Sequence, residues 1–127
     1  MAKGIKARLD KMWSEIIRKE AGYISEYSGK PLDRENKVYL CAHHLIGKPN
    51  LRMRYELLNG VCITTGEHSF IAHHTGREAQ FKQRIKEIKG DDIFDRLEEM
   101  YILSKGQKTD IKLIEIYLKQ RLEGRHK

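Results

Sequence analysis

Residues 38–74 read VYLCAHHLIGKPNLRMRYELLNGVCITTGEHSFIAHH, and the order of signals within them decides the fold. Val38 to His44 is rich in β-branched and aromatic residues, which predicts a strand ending on the pair His43-His44. Gly47 to Leu58 reads as a long loop, punctuated by Lys48-Pro49-Asn50 and carrying Arg52 and Arg54. Loops of that length inside a small domain are usually functional. Asn59-Gly60 marks a turn, and Val61 to Thr64 reads as a second short strand. Thr64-Thr65-Gly66-Glu67 then has the form of a capping box, with Thr64 as N-cap and Glu67 three residues later. A helix is therefore expected from His68 to about His74, broken at Thr75-Gly76.

Outward from this unit the pattern changes to helical spacing. Ile5, Leu9, Met12, Trp13, Ile16 and Ile17 form one apolar stripe, so residues 3–20 are predicted helical, with Ala21-Gly22 as the stop. The stretch from Tyr23 to Arg34 contains Gly29-Lys30-Pro31 and reads as a turn or short hairpin. Three more helices are expected at roughly 77–89, 91–104 and 109–122, with apolar positions such as Phe81, Ile85, Leu97, Ile114 and Leu118. The expectation is a single α+β domain over residues 1–127, mostly helical, with a central ββα unit at about 37–75. No internal repeat or low-complexity segment interrupts it.

Composition narrows the class of function. Hydrophobic residues make up 39% of the 127 and charged residues 34%, the balance of a globular protein rather than a disordered one. No stretch approaches the ~18 apolar residues that cross a bilayer, and the first residues carry no apolar export segment, so no membrane partner and a cytoplasmic protein are expected. Two cysteines, Cys41 and Cys62, are too few for a disulfide framework and read as reduced, buried strand residues. The formal charge of +7 suits a polyanionic partner such as nucleic acid, a weak preference because basic charge is also spread over solvated helix faces. Histidine placement says more. Five of six histidines (His43, His44, His68, His73 and His74) lie within 32 residues, which points to a metal or acid–base site.

The spacing His43-His44, Asn59, His68, His73 resembles the HNH, or ββα-metal, nucleases, including the nuclease domains of DNase colicins and many phage HNH proteins. The segment Leu9-Asp10-Lys11-Met12-Trp13, the turn Glu26-Tyr27-Ser28-Gly29-Lys30 and the run Ala42-His43-His44-Leu45-Ile46-Gly47 look like phage members of that family. The resemblance covers roughly residues 5–104. It implies an endonuclease that hydrolyses phosphodiester bonds in DNA with one divalent metal ion, Mg, Mn, Zn or Ni. For a phage-encoded member, the compartment would be the host cytoplasm. It further implies His44 as general base, Asn59 as the residue orienting it, and His43, His68 and His73 as metal ligands. The chemistry asks for these types: a divalent cation to neutralise phosphoryl charge and assist the leaving oxygen, and an imidazole to deprotonate water. Lys48, Arg52, Arg54 and Arg77 are candidates for phosphate contacts, with solvated loop charge as the equal alternative. The competing class is a non-catalytic DNA-binding module on the same scaffold.

Two departures qualify the resemblance. Many members place the helix ligand four residues after the first helix histidine, where this chain has Ala72; His73 and His74 follow at five and six. On a regular helix of ~100° per residue, His73 would be ~140° from His68, so either His68 precedes the regular helix or the helix bulges; His73 is the expected ligand, with His74 in reserve. Many phage relatives also carry two Cys-x-x-Cys pairs holding a structural zinc. The matching positions here are Ser25, Ser28, Thr64 and Glu67, so no structural zinc is expected and hydrogen bonds should hold these turns instead.

Overall fold

Alternation along two five-residue strands sorts the chain into two cores. The computed structural model describes residues 2–47, 50–72 and 76–124. Strand β1 (Leu40–His44) pairs antiparallel with β2 (Gly60–Thr64), with Cys41 opposite Ile63, Ala42 opposite Cys62 and His44 opposite Gly60. Successive strand residues point to opposite faces. Leu40, Ala42 and Cys62 therefore join one cluster, while Cys41, Val61 and Ile63 join the other.

The first face is covered by α1 (Ala2–Glu20), whose Leu9, Trp13, Ile16 and Ile17 are buried as the stripe predicts. Helix α6 (Ile111–Leu122) lies along α1 and adds Leu118 to this core. The second face is covered by α4 (Glu78–Lys89) through Phe81 and Ile85, and by α5 (Ile93–Ser104) through Ile93 and Leu97. The pair of strands is thus a middle layer between helices in a mostly helical α+β domain. A two-stranded hairpin alone is marginal in water. Here each buried aliphatic or aromatic side chain of the covering helices contributes about 1.5–3 kcal/mol of transfer free energy. Helices α1, α4, α5 and α6 start and stop within two residues of the positions read from periodicity. Among the described residues no helix is long and apolar enough to cross a membrane.

The predicted loop at 47–58 differs. It contains α2 (Leu51–Arg54), capped by Asn50 Oδ1 accepting from the Met53 N–H at 2.9 Å, and a 3₁₀ turn at Leu57–Asn59, capped by Glu56. Elements this short carry no readable periodicity. They form because side-chain caps satisfy their first N–H groups and because Met53 and Tyr55 are buried. In the 21–39 segment, isolated bridges Ile24–Pro31 and Asp33–Val38 replace a regular hairpin. Its turn closes the outer edge of β2: the Glu26 N–H donates to the Cys62 carbonyl, and the Glu26 carboxylate accepts from the Cys62 N–H, each at 2.8 Å.

The two cysteines are free and belong to opposite cores. Burial, with a lesser push from Glu26 and Cys41, raises the Cys62 thiol to about 11, so it stays protonated at neutral pH.

Gly60 also departs from the turn expected of Asn59-Gly60. Its backbone is extended (φ −125, ψ 149) and it is the first residue of β2. The glycine is required by proximity: a Cβ there would lie 2.5 Å from Ile17 Cδ1 and 2.7 Å from Trp13 Cζ2. Gly60→Ala is accordingly expected to cost about 1–3 kcal/mol by overpacking. Urea denaturation reads this directly, and a variant as stable as the parent would refute the close-approach argument.

Candidate functional site

His43 and His44, adjacent at the end of β1, diverge to the two faces of the sheet. On the α4/α5 face the His43 ring meets Phe81 edge-on, with centroids 5.4 Å apart and planes at 86°. It also meets the His68 ring at 5.0 Å and 70°. His68 follows α3 (Thr65–Glu67), whose capping box is present in both directions: the Thr64 hydroxyl accepts from the Glu67 N–H, and the Glu67 carboxylate accepts from the Thr64 N–H. With metal–nitrogen bonds of about 2.1 Å, two imidazoles on one ion have centroids roughly 4.6 Å apart at octahedral angles to roughly 5.3 Å at tetrahedral ones. The observed separation of 5.0 Å falls inside that range.

Residues 68–72 continue α3 as a π-helical turn. The expected ligand His73, the reserve His74 and the expected phosphate contact Lys48 lie outside the described residues. Among the described residues no group of three or more His, Cys, Asp or Glu side chains gathers.

On the opposite face His44 lies flat on Trp13, with centroids 4.0 Å apart and planes within 5°. Its Nε2 is 2.8 Å from the Arg54 carbonyl oxygen. A carbonyl only accepts, so Nε2 carries the proton and, in the neutral ring, Nδ1 holds the lone pair. Both partners are themselves fixed. Trp13 Nε1 donates to the Glu56 carbonyl at 3.1 Å, and the Arg54 guanidinium makes a two-point pair with Asp10 at 2.9 and 2.7 Å.

Asn59 is fully buried and acts on His44 through the backbone. Its Oδ1 accepts from the Ile46 N–H at 2.9 Å, while its Nδ2 donates to the carbonyls of Met53 at 3.0 Å and Ile46 at 3.4 Å. The Leu45 N–H donates to the Asn59 carbonyl at 3.0 Å. One carboxamide therefore ties the chain just after His44 to the chain just before Arg54, the two segments that meet at the His44–Arg54 bond. Asn59, expected to orient His44, makes bonds that clamp the loop carrying the imidazole's carbonyl partner.

Ser25, Ser28, Thr64 and Glu67 meet at one point. The Ser25 hydroxyl donates to Glu67 Oε1 at 2.6 Å and accepts from the N–H groups of Tyr27 and Ser28. Burial alone would raise the Glu67 carboxyl, but hydrogen bonds from Ser25, Ser28 and Thr64 outweigh it and hold the group below its usual range. A carboxyl lowered in the folded state stabilises the fold above its unfolded pKa, and that stabilisation is lost as pH falls through the folded value.

The expected phosphate contacts are spread out. Arg54 is engaged by Asp10. Arg52 is about half exposed on α2, 3.8 Å from Glu56, and lines a groove beside α6 with Leu113 and Ile114. Arg77 is exposed just before α4. The residues that sequence reading missed are Trp13, which looked like one more member of the α1 stripe, and Asp10, whose pairing with Arg54 spans 44 positions. Searches against family models, curated proteins and solved structures find no match to this chain.

Asn59→Ala leaves a part-buried donor at Ile46 and a buried acceptor at Met53 unpaired, so a loss of about 1–3 kcal/mol in urea-denaturation stability is expected. A loss under about 0.5 kcal/mol would contradict the clamp. Glu67→Gln should cost about 1–2 kcal/mol at pH 7 and flatten the decline in stability that the parent shows below about pH 4.5. Thermal melts from pH 3 to 7 check both limbs, and an unchanged acid limb would rule out Glu67 as its source.

Proposed function

We propose that this chain is a metal-dependent endonuclease of the HNH type, hydrolysing phosphodiester bonds in DNA. The observation that carries the reading is the 5.0 Å approach of His43 and His68 on one face of β1, with His44 on the other face of the same strand end. In-line displacement at phosphorus sets the attacking water and the leaving oxygen on opposite sides. Two histidines diverging from one strand end are suited to flank a phosphate in that way.

His44 takes the proton of the attacking water on Nδ1, since Nε2 is committed to the Arg54 carbonyl. Trp13 supports this role: the imidazolium formed rests on an electron-rich indole face. Asn59 and Asp10 hold the loop that aims the ring. His43 and His68 would hold a divalent ion, with Phe81 edge-on to the His43 ring. His73, outside the described residues, remains the third ligand of this reading. The bound ion supplies charge neutralisation and assistance to the leaving 3′ oxygen. Two further observations support the family reading. Two paired strands, with short helical turns between them, lead into a helical turn over 40–72, and Ser25, Ser28, Thr64 and Glu67, at the positions of the cysteine pairs in phage relatives, meet in space.

Incubation with supercoiled plasmid and Mg²⁺, Mn²⁺, Ni²⁺ or Zn²⁺ tests the proposal. Nicking or linearisation by the parent is expected, falling about 10²–10⁴-fold in His44→Ala. His43→Ala and His68→Ala should weaken metal binding by calorimetry. Retardation of DNA without cleavage in any metal would favour the binding module instead.

A further inference from the structure

At the end of β1 remote from the histidines lies a cavity of about 440 Å³, lined by Glu15, Arg18, Tyr23, Arg34, Tyr39 and Leu40 among others. That volume is in the range of small-ligand sites, about 300–1,000 Å³. Its charges are unevenly used. Glu15 is taken by the Tyr23 hydroxyl at 2.6 Å and by Arg18 at 3.0 Å. The Arg34 guanidinium makes no ion pair or hydrogen bond among the described residues, so one positive charge at the rim is uncompensated. Tyr39 is 47% exposed, which leaves much of an aromatic ring facing solvent.

Tyr23 adds an independent sign. Its backbone is left-handed (φ 56), a conformation that bulky side chains rarely adopt and that costs of order 1 kcal/mol. It is held there by its N–H to the Arg18 carbonyl, by the Leu32 N–H to its own carbonyl and by its hydroxyl on Glu15. Strain of this kind concentrates at ligand sites.

We propose that this cavity binds a nucleotide unit of a single-stranded nucleic acid, the base against Tyr39 and the phosphate on Arg34. An aromatic platform beside an arginine is the combination that takes unpaired bases with little regard to sequence. The net charge of +7 favours the polyanion. The position also fits a strand that continues to the histidines. Trp13, under His44, and Arg18, at the cavity, are both on α1 and about 8 Å apart along its axis. The inference rests on the proposal that nucleic acid is the partner, and is independent of whether the chain cuts it.

Fluorescence anisotropy of labelled (dT)₁₂ in EDTA buffer tests it, because without metal only binding is read. Tyr39→Ala should weaken binding at least fivefold, while Tyr39→Phe, which keeps the ring, stays within twofold. Arg34→Ala should weaken binding and lower the log–log salt slope by about 0.7. Unchanged affinity in Tyr39→Ala, or equal losses in the Ala and Phe variants, would overturn the assignment. So would dTMP binding as tightly as (dT)₁₂, which points to a free nucleotide. Tyr39-insensitive binding alongside His44-dependent cleavage sinks this inference alone, whereas Tyr39-dependent binding without cleavage sinks the nuclease reading alone.

Discussion

Helix α1 runs so close to the sheet that only hydrogen fits between them at residue 60. Trp13 and Ile17 occupy the space a Cβ of Gly60 would need, and the strand partner of Gly60 is His44. The indole that closes the core over Gly60 therefore also lies flat on the His44 ring. Packing of one helix against one strand end sets the plane of the imidazole, since the contact that excludes water from the core is also the one the ring lies on. A bulkier residue at 60 would lift α1 and with it the platform, coupling stability and site geometry at one point.

The second constraint is the two-residue period of a strand. With adjacent histidines at the end of β1, alternation sends one ring to the α1 core and the other to the α4/α5 core. Each core supplies an aromatic neighbour, Trp13 for His44 and Phe81 for His43. The two rings therefore sit in different surroundings. One has its tautomer set by a backbone carbonyl, and the other shares its neighbourhood with a second imidazole from the next element. The difference in surroundings between neighbouring side chains follows from sheet geometry rather than from sequence distance.

How far the sequence revealed this depended on range. The long helices were legible because their stripes span several turns, and the capping box at Thr64 and Glu67 was legible because its partners are three residues apart. The helical turns at 51–54 and 57–59 were not, because caps and the burial of Met53, rather than periodicity, stabilise them. The dipeptide Asn59-Gly60 misled for the same reason. Its turn signal is local, while both residues answer to distant partners: Gly60 to α1, and Asn59 to the backbone at 46 and 53. The histidine cluster stood out as composition. The Trp13 platform and the Asp10–Arg54 tie did not, since nothing within a helical stripe marks which aromatic faces a site.

The junction of residues 25–28 with 64–67 shows how a small domain holds two turns together with hydrogen bonds alone. Glu67 takes donors from its own cap and from Ser25 on a segment 42 positions away, and Ser25 in turn accepts two backbone N–H groups of its turn. Every polar atom drawn out of water there gains a partner, and no buried side-chain N or O among the described residues lacks one. Such a network is weaker than a metal centre and depends on the ionisation of one carboxyl. Its geometric effect is nonetheless the same: it pins the start of α3, and so the position from which His68 reaches His43. The stability of that junction thereby enters the histidine pair's geometry through the start of α3.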